Sequence, residues 1–385
     1  MKQKEETVVL EVQELIKTGE PSIKLNHRPL FSVVISCYNS GKTIGRLLNS
    51  LCNQRLTKDE LEIIISDDCS TESYNDIVDE YKDRLNIKKV KTEYNCCPGN
   101  TRQTGLHAAT GQWVCFSDHD DEFIATALDV LKERLNEMEE KYYIVTGFIN
   151  QNEYRANNNF RQVKASDSNG WTHGKFYNLD NLVKNFNLCF KKDLLSHEDV
   201  YFTTSVNCII EHLHSMHIDA GTYLDDLYTY VWYSHPMSLS HQYENNNINF
   251  LEKHFIEYCE ATGEVYLDNY YKNIMTWTRT RQCLVDSLLL FYFYTQSFLF
   301  YNPNTYLVEN FDYVADFLDK IKDMFKLTNT EIWMRASENN CFCYKQAEQA
   351  SEVGTGGIIP SQTFAEWLDS LSPDGEEPTS IYYKR

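Results

Sequence analysis

Short apolar runs alternate with stretches whose apolar positions return every three or four residues, and over the first 150 residues this predicts strands followed by helices. Phe31-Ser32-Val33-Val34-Ile35-Ser36 reads as a buried strand, after which Ile44, Leu47, Leu48 and Leu51 share one helical face. Leu61-Glu62-Ile63-Ile64-Ile65-Ser66 is a second strand, and Ile77, Tyr81 and Leu85 predict a helix over residues 73 to 85. A shorter strand at Ile87 to Thr92, a helix carrying Arg102 and the apolar run Trp113-Val114-Cys115-Phe116 follow. Leu128, Leu131, Leu135 and Met138 then predict a helix over 124 to 140, and Tyr142 to Phe148 a further strand. Strands and helices alternating at this length imply an α/β fold: a doubly wound, mainly parallel sheet flanked by helices, with ligands beyond the strands' carboxyl ends.

The flanks read differently. Val8, Val12 and Leu15 predict a short amphipathic helix over 7 to 17, joined by Gly19, Pro21 and Pro29 to the sheet, so residues 1–30 form an appended arm. Residues 151 to 170 are rich in Asn, Gln and Ser and predict a long polar excursion, a candidate substrate-facing loop. Beyond about residue 245 the pattern turns helical and aromatic, with a loose tail from Ser351. The division that follows is a nucleotide-binding half over 31–150, an acceptor half over 151–245 and a helical region over 246–385.

Charge and cysteine content narrow the function. The 36 basic and 56 acidic side chains leave a formal charge of -20, which repels phosphate backbones and anionic membranes and argues against a surface that coats nucleic acid. The twelve cysteines include no CxxC pairs in zinc-finger spacing, the pattern of reduced thiols in a cytoplasm. The charged N-terminus lacks an apolar signal core, which also predicts a cytoplasmic protein, host cytoplasm if a phage encodes it. Cys283 to Tyr301 is apolar and aromatic but contains Asp286, Ser287, Gln296 and Ser297, so a buried helix is expected there and no transmembrane segment.

The chemistry concentrates where Trp113-Val114-Cys115-Phe116 runs into Ser117-Asp118-His119-Asp120-Asp121. Asp118 and Asp120 offer hard oxygen ligands two positions apart, which suits Mg²⁺ or Mn²⁺ holding a diphosphate. The same acids would also suit a solvated turn, and Asp121 is placed to cap the next helix. Loops starting at Cys37-Tyr38-Asn39, at Asp67-Asp68 and at Asn95 converge on the same strand ends.

Four segments, Val34-Ile35-Ser36-Cys37-Tyr38-Asn39, Ile65-Ser66-Asp67-Asp68-Cys69-Ser70-Thr71, Arg102-Gln103-Thr104-Gly105 and Phe116-Ser117-Asp118-His119-Asp120-Asp121, stand in the order found in family-2 glycosyltransferases of the GT-A fold. Trp171-Thr172-His173-Gly174-Lys175 and His197-Glu198-Asp199-Val200-Tyr201-Phe202 resemble acceptor-side segments of bacterial and bacteriophage members, so the likeness covers about residues 31 to 241. The resemblance implies a metal-dependent inverting enzyme that moves a sugar from a UDP-sugar to an acceptor hydroxyl. It implies a nucleotide site of Ser36, Tyr38, Asp67, Asp68, Asn95, Arg102 and Asp118, with Asp68 on the uracil and Asn95 and Arg102 toward the diphosphate. Asp118 and Asp120 would be the metal pair, Asp199 the general base, and His173, Lys175 and Glu198 acceptor contacts. Ser36 replaces the usual Pro, and His119 replaces a small residue between the metal aspartates.

Other features are read in two ways. His235 stands where relatives place a third metal ligand, or else it holds the turn before Pro236, and His241 competes for the role. His212, His214 and His217 resemble metal ligands by count but lie at a solvated helix end. Glu198 either caps or orients the helix from Val200 to Ile210 or assists Asp199. The acceptor is read as a glycan or teichoic-type polymer, or alternatively hydroxymethylated phage DNA. A reading of another class is a non-catalytic carbohydrate-binding protein on the same fold. A nucleotidyltransferase would need a Gly-rich basic loop after the first strand, for which Asn39-Ser40-Gly41-Lys42 is too meagre. The aromatic C-terminal helices would either close one chain's core or pair two chains.

Overall fold

In a computed structural model the protein is described over residues 28–138, 144–152, 160–164, 171–192, 194, 198–233, 261–301 and 319–337. The expected arm, the tail, His235 and His241 lie outside these residues.

The first part of the sheet is built on four parallel strands: β1 (Phe31–Cys37), β2 (Leu61–Asp67), β3 (Asn86–Lys91) and β4 (Trp113–Asp118). Their order in the sheet is β3-β2-β1-β4. The chain steps outward from β1 to β3 and then returns to the other side of β1, so a crevice opens between the carboxyl ends of β1 and β4. Register makes those ends level: Ser36 pairs with Asp118 and Cys37 with Asp67.

Both faces of β1, β2 and β4 are covered, which is why these strands read as continuous apolar runs, whereas β3 at the edge is largely exposed. Val33 and Ile35 point to one face, into a core with Leu47, Leu48 and Leu51 of α1 (Ile44–Cys52) and Leu128 and Leu131 of α4 (Ala127–Glu137). Val34 and Ile64 point to the other, against Leu106 of α3 (Pro98–Ala108) and Phe202, Val206 and Ile209 of α5 (Glu198–Ser215). Alternation of side chains along a strand produces this division. Helix α3 lies close on the sheet at Gly105, where an added Cβ would stand 2.4 Å from Val34 Cγ1 and 3.3 Å from Ser66 Cβ.

The helix expected over 73 to 85 is shorter, α2 (Asn75–Asp79). Turns continue it, with Tyr81 N–H bonded to Val78 O and Leu85 N–H to Tyr81 O, so Val78 and Leu85 reach the core without a continuous helix.

The second half of the sheet is mixed. Antiparallel β8 (Lys175–Asn178) joins β4 to β6 (Ile144–Asn152), which pairs in parallel with β9 (Thr222–Tyr233), and short β5 (Glu122–Phe123) ends the order on β9. The polar excursion contains β7 (Phe160–Lys164), which forms an antiparallel pair with β6, so it is not loop throughout. Strands β4 and β5 are consecutive in the chain yet four places apart in the sheet. A flat sheet would separate them by about 19 Å, whereas the chain from Asp118 to Glu122 spans at most about 14 Å. The sheet therefore curls, returning the end of β9 to the end of β4.

Beyond 260, helical residues 261–271, α6 (Trp277–Tyr301) and α7 (Asn329–Ser337) pack together, with Arg335 bonded to both oxygens of Asp286 at 2.7 and 2.8 Å. Among the described residues no helix is long and apolar enough to cross a membrane.

Candidate active site

Arg102 is the centre of the site. It sits in the second turn of α3, buried, and its guanidinium meets three carboxylates: Asp118 Oδ1 at 2.7 Å, Asp199 Oδ1 at 3.1 Å, and Glu198. Burial works against its charge, but Asp199, Asp118 and Glu198 together overcome this and hold Arg102 firmly protonated. Asp118 ends β4 and Glu198 and Asp199 begin α5, so one side chain ties these two segments together.

Aromatic packing sets the distance between them. Phe202, one turn after Asp199, stacks on Phe190 with centroids 4.4 Å apart and meets Phe116, two residues before Asp118, edge-on at 5.5 Å. At the start of α3, Gly99 admits close contact: an added Cβ would lie 2.3 Å from Lys191 O and 3.0 Å from Glu198 Cβ.

The carboxylates differ in charge state by environment. Burial is the largest effect on Asp118 and raises it, but the charges of Arg102, His173 and His119 with the Arg102 hydrogen bond together outweigh it and leave a net lowering. Asp120 is raised by burial and then by the neighbouring Asp118 charge. Burial pushes Glu198 up to about 7, with Asp199 adding to the rise and Arg102 opposing it. Asp121 is raised furthest within the turn, by burial and then by Asp118 and Asp120. It does not cap the next helix as the sequence implied. It is fully buried, accepting from the Tyr230 hydroxyl at 2.7 Å and the Tyr233 N–H at 2.9 Å, while Thr126 precedes α4 with no side-chain cap bond. The Tyr230 hydroxyl also accepts from Asp118 N–H at 3.1 Å.

On the opposite rim the two acids after β2 are turned into their own loops. Asp67 accepts from Ser70 and from the Tyr74 hydroxyl at 2.9 Å. Asp68 is buried and accepts from Thr92 Oγ1 at 3.0 Å, Asn95 Nδ2 at 3.1 Å and Cys96 N–H at 3.3 Å, so Asp68 and Asn95 act as one unit. Tyr38 is exposed at the end of β1. Two buried polar atoms here have no hydrogen-bond partner, Ser36 Oγ and Arg102 Nε. Unsatisfied buried donors call for explanation, and a polar ligand at these strand ends supplies one.

Thr172, His173 and Lys175 gather around Asp199. Thr172 Oγ1 donates to Asp199 Oδ1 at 3.2 Å. His173 is buried between stacked rings, 5.5 Å from Trp171 and 5.4 Å from Tyr230, and burial lowers its pKa against the pull of Asp118 and Asp199. Lys175 is brought down to about 8 by burial, with Asp199 opposing.

The structure thus brings Arg102, Asp118, Glu198 and Asp199 into direct contact and places His173, Lys175 and the Asp120 turn around them. The sequence reading missed Thr172, Tyr230 and Arg46. Thr172 lay inside a quoted motif, whereas Tyr230 and Arg46 carry no local signal. Among the described residues no group of three or more His, Cys, Asp or Glu side chains is placed to hold a metal. A pair of carboxylates is nevertheless what Mg²⁺ or Mn²⁺ uses when substrate phosphates and water supply the remaining ligands. The mutual repulsion of Asp118 and Asp120 fits such a cation.

A curled, mainly parallel sheet with an acid-lined crevice at its carboxyl ends is an arrangement of the GT-A fold. Residues 32–193 match the model of Glycosyl transferase family 2, so this segment is similar to that family. A 92-residue segment is 45% identical to the poly(ribitol-phosphate) beta-N-acetylglucosaminyltransferase TarS of Staphylococcus aureus, covering 24% of this chain and 16% of that protein. A 99-residue segment is 38% identical to a poly(ribitol-phosphate) beta-glucosyltransferase of Bacillus spizizenii, covering 25% and 16%. The aligned segments thus span only 16% of either relative's length. The crystal structure of S. aureus TarS 1-349 in complex with UDP-GlcNAc shares the fold, with TM-score 0.57 and 22% identity over 84% of this chain and 92% of that chain.

Proposed function

We propose that this protein is a metal-dependent inverting glycosyltransferase that moves a sugar from a UDP-sugar to an acceptor hydroxyl. The observation that carries the reading is the meeting of Asp118, Glu198 and Asp199 on Arg102 at the carboxyl ends of β1 and β4. The proposed catalytic body is residues 31–245, with residues 246–385 following it in the chain.

Asp118 and Asp120 would hold Mn²⁺ or Mg²⁺, which makes the diphosphate a better leaving group. The Asp67-Asp68 loop, with Asn95 fixed on Asp68, lines the uracil side, and Tyr38 and the unpaired Ser36 Oγ face the nucleotide. Arg102 keeps positive charge at the leaving side and also holds Asp199 in place. Asp199, oriented by Thr172, takes the proton from the acceptor hydroxyl as that oxygen attacks the anomeric carbon from the face opposite the diphosphate, which inverts the centre. Glu198 holds Arg102, and His173 and Lys175 face the acceptor. UDP-GlcNAc and UDP-glucose are the donors to test first, since the relatives named above transfer N-acetylglucosamine and glucose. The proposed acceptor is a glycan or polyol-phosphate polymer hydroxyl.

Calorimetry of UDP binding tests the reading. Affinity is expected to be higher in Mn²⁺ than in EDTA, and Asp120→Ala should abolish the difference. Equal affinity in EDTA and Mn²⁺ for the unmodified protein would remove the metal from the mechanism.

A further inference from the structure

The turn from His119 to Glu122 bears Asp120 and follows Asp118, and each of its residues is held from outside the turn. From the α1 side, Thr43 Oγ1 lies 2.7 Å from His119 Nδ1. Arg46 donates Nη2 to the main-chain oxygen of Asp120 and places Nε 3.4 Å from Glu122 Oε1. From the β9 side, the Tyr230 hydroxyl and the Tyr233 N–H bind the Asp121 carboxylate. The two sides meet, because the Arg46 guanidinium lies 4.0 Å from the centroid of the Tyr233 ring.

This arrangement answers a problem set by the topology. Strand β5 belongs to the far edge of the sheet while β4 belongs near its middle, so the connecting turn bridges two parts of a curled sheet that no backbone ladder joins directly. A bare turn there would leave the aim of Asp118 and Asp120 to chance. Arg46 supplies the missing tie, with a planar fork that reaches two points of the turn and a flat face that stacks on the strand opposite. The side chain is 40% exposed and its carboxylate partner 29% exposed. Surface pairs of that kind add little to global stability, so the consequence of Arg46 is local.

We propose that Arg46 is a positioning residue for the acidic turn, joining α1 to β9 across it and so fixing the aim of Asp118 and Asp120 without touching the cation or the donor. Thr43 and Tyr233 complete the clamp. The functional part of this inference rests on the metal-dependent reading above. The clamp itself does not.

The test uses the full chain with Arg46→Met, which keeps length and removes charge and donors, and Arg46→Lys, which restores charge but not the fork. Three quantities are measured: thermal unfolding without ligand, hydrogen exchange of the segment 118–123, and UDP affinity in EDTA and in Mn²⁺. Arg46→Met is expected to unfold at the unmodified temperature, exchange faster only in 118–123, bind UDP normally in EDTA and lose about 10- to 100-fold in UDP affinity in Mn²⁺, the size of effect that follows removal of an outer partner of a metal ligand. Arg46→Lys should recover part of the loss. Unchanged exchange in 118–123 overturns the clamp whatever the metal does. Lowered UDP affinity in EDTA would make Arg46 a donor contact instead, and a general rise in exchange with a lower unfolding temperature would make it a structural residue; either overturns the proposal. If the unmodified protein shows no Mn²⁺ gain, the metal reading fails and the exchange result alone decides the clamp.

Discussion

Three carboxylates around one guanidinium give each acid a different task. Asp199 is held by Arg102 and Thr172 with Lys175 and His173 close by, an acid fixed in place beside the proposed acceptor. Asp199→Asn keeps the shape and the bond to Thr172 but removes the base. Transfer is expected to fall by about 10²- to 10⁴-fold with UDP affinity unchanged; initial rates and calorimetry on the same preparation check this, and transfer at the unmodified rate would place the base elsewhere. The acids of the family motifs were legible as residues, since their positions after apolar runs are a local pattern. Their partners were not. The guanidinium of Arg102 engages Asp118, 16 residues away, and Glu198, 96 residues away, distances over which no periodicity carries information.

At the level of elements, strands β1, β2 and β4 and the helices α1 and α4 follow from hydrophobic period, because a strand buried on both faces and a one-sided helix leave distinct marks in sequence. The helix over 73 to 85 failed because turns with bonds to the third or fourth residue back bury the same apolar positions. Strand β7 failed because a polar hairpin near the sheet's edge has little apolar pattern to show. Helix α3 is the element whose placement matters most, since it delivers Arg102. Gly105→Val would drive a branched side chain into Val34 and Ser66. A loss of about 1–3 kcal/mol is expected from such overpacking, read by urea denaturation, together with weaker UDP binding as Arg102 moves away from Asp118; unchanged values for both would show that α3 does not depend on this close approach.

Across the whole molecule, the site's buried acids make stability depend on pH. Glu198 is pushed up from 4.5 to about 7, chiefly by burial. The folded protein therefore binds this proton more tightly than the unfolded chain. Its contribution is complete below about 4.5, declines between 4.5 and 7 and is gone above that range. Glu198→Gln stays neutral, so the fall in unfolding temperature from pH 5 to pH 8 should be smaller in the variant; an equal fall in both proteins would exclude Glu198 as the source. The amino-acid sequence alone determined the strand and helix alternation from β1 to α4, the acids at its strand ends and the order of its motifs, because each is a pattern within a dozen residues. Only tertiary structure decided that the sheet curls until β9 meets β4, that Asp121 is buried on two tyrosines, that Arg102 gathers acids from both halves and that Arg46 spans the acidic turn. These depend on which distant segments share space, and close packing of strands and helices settles that.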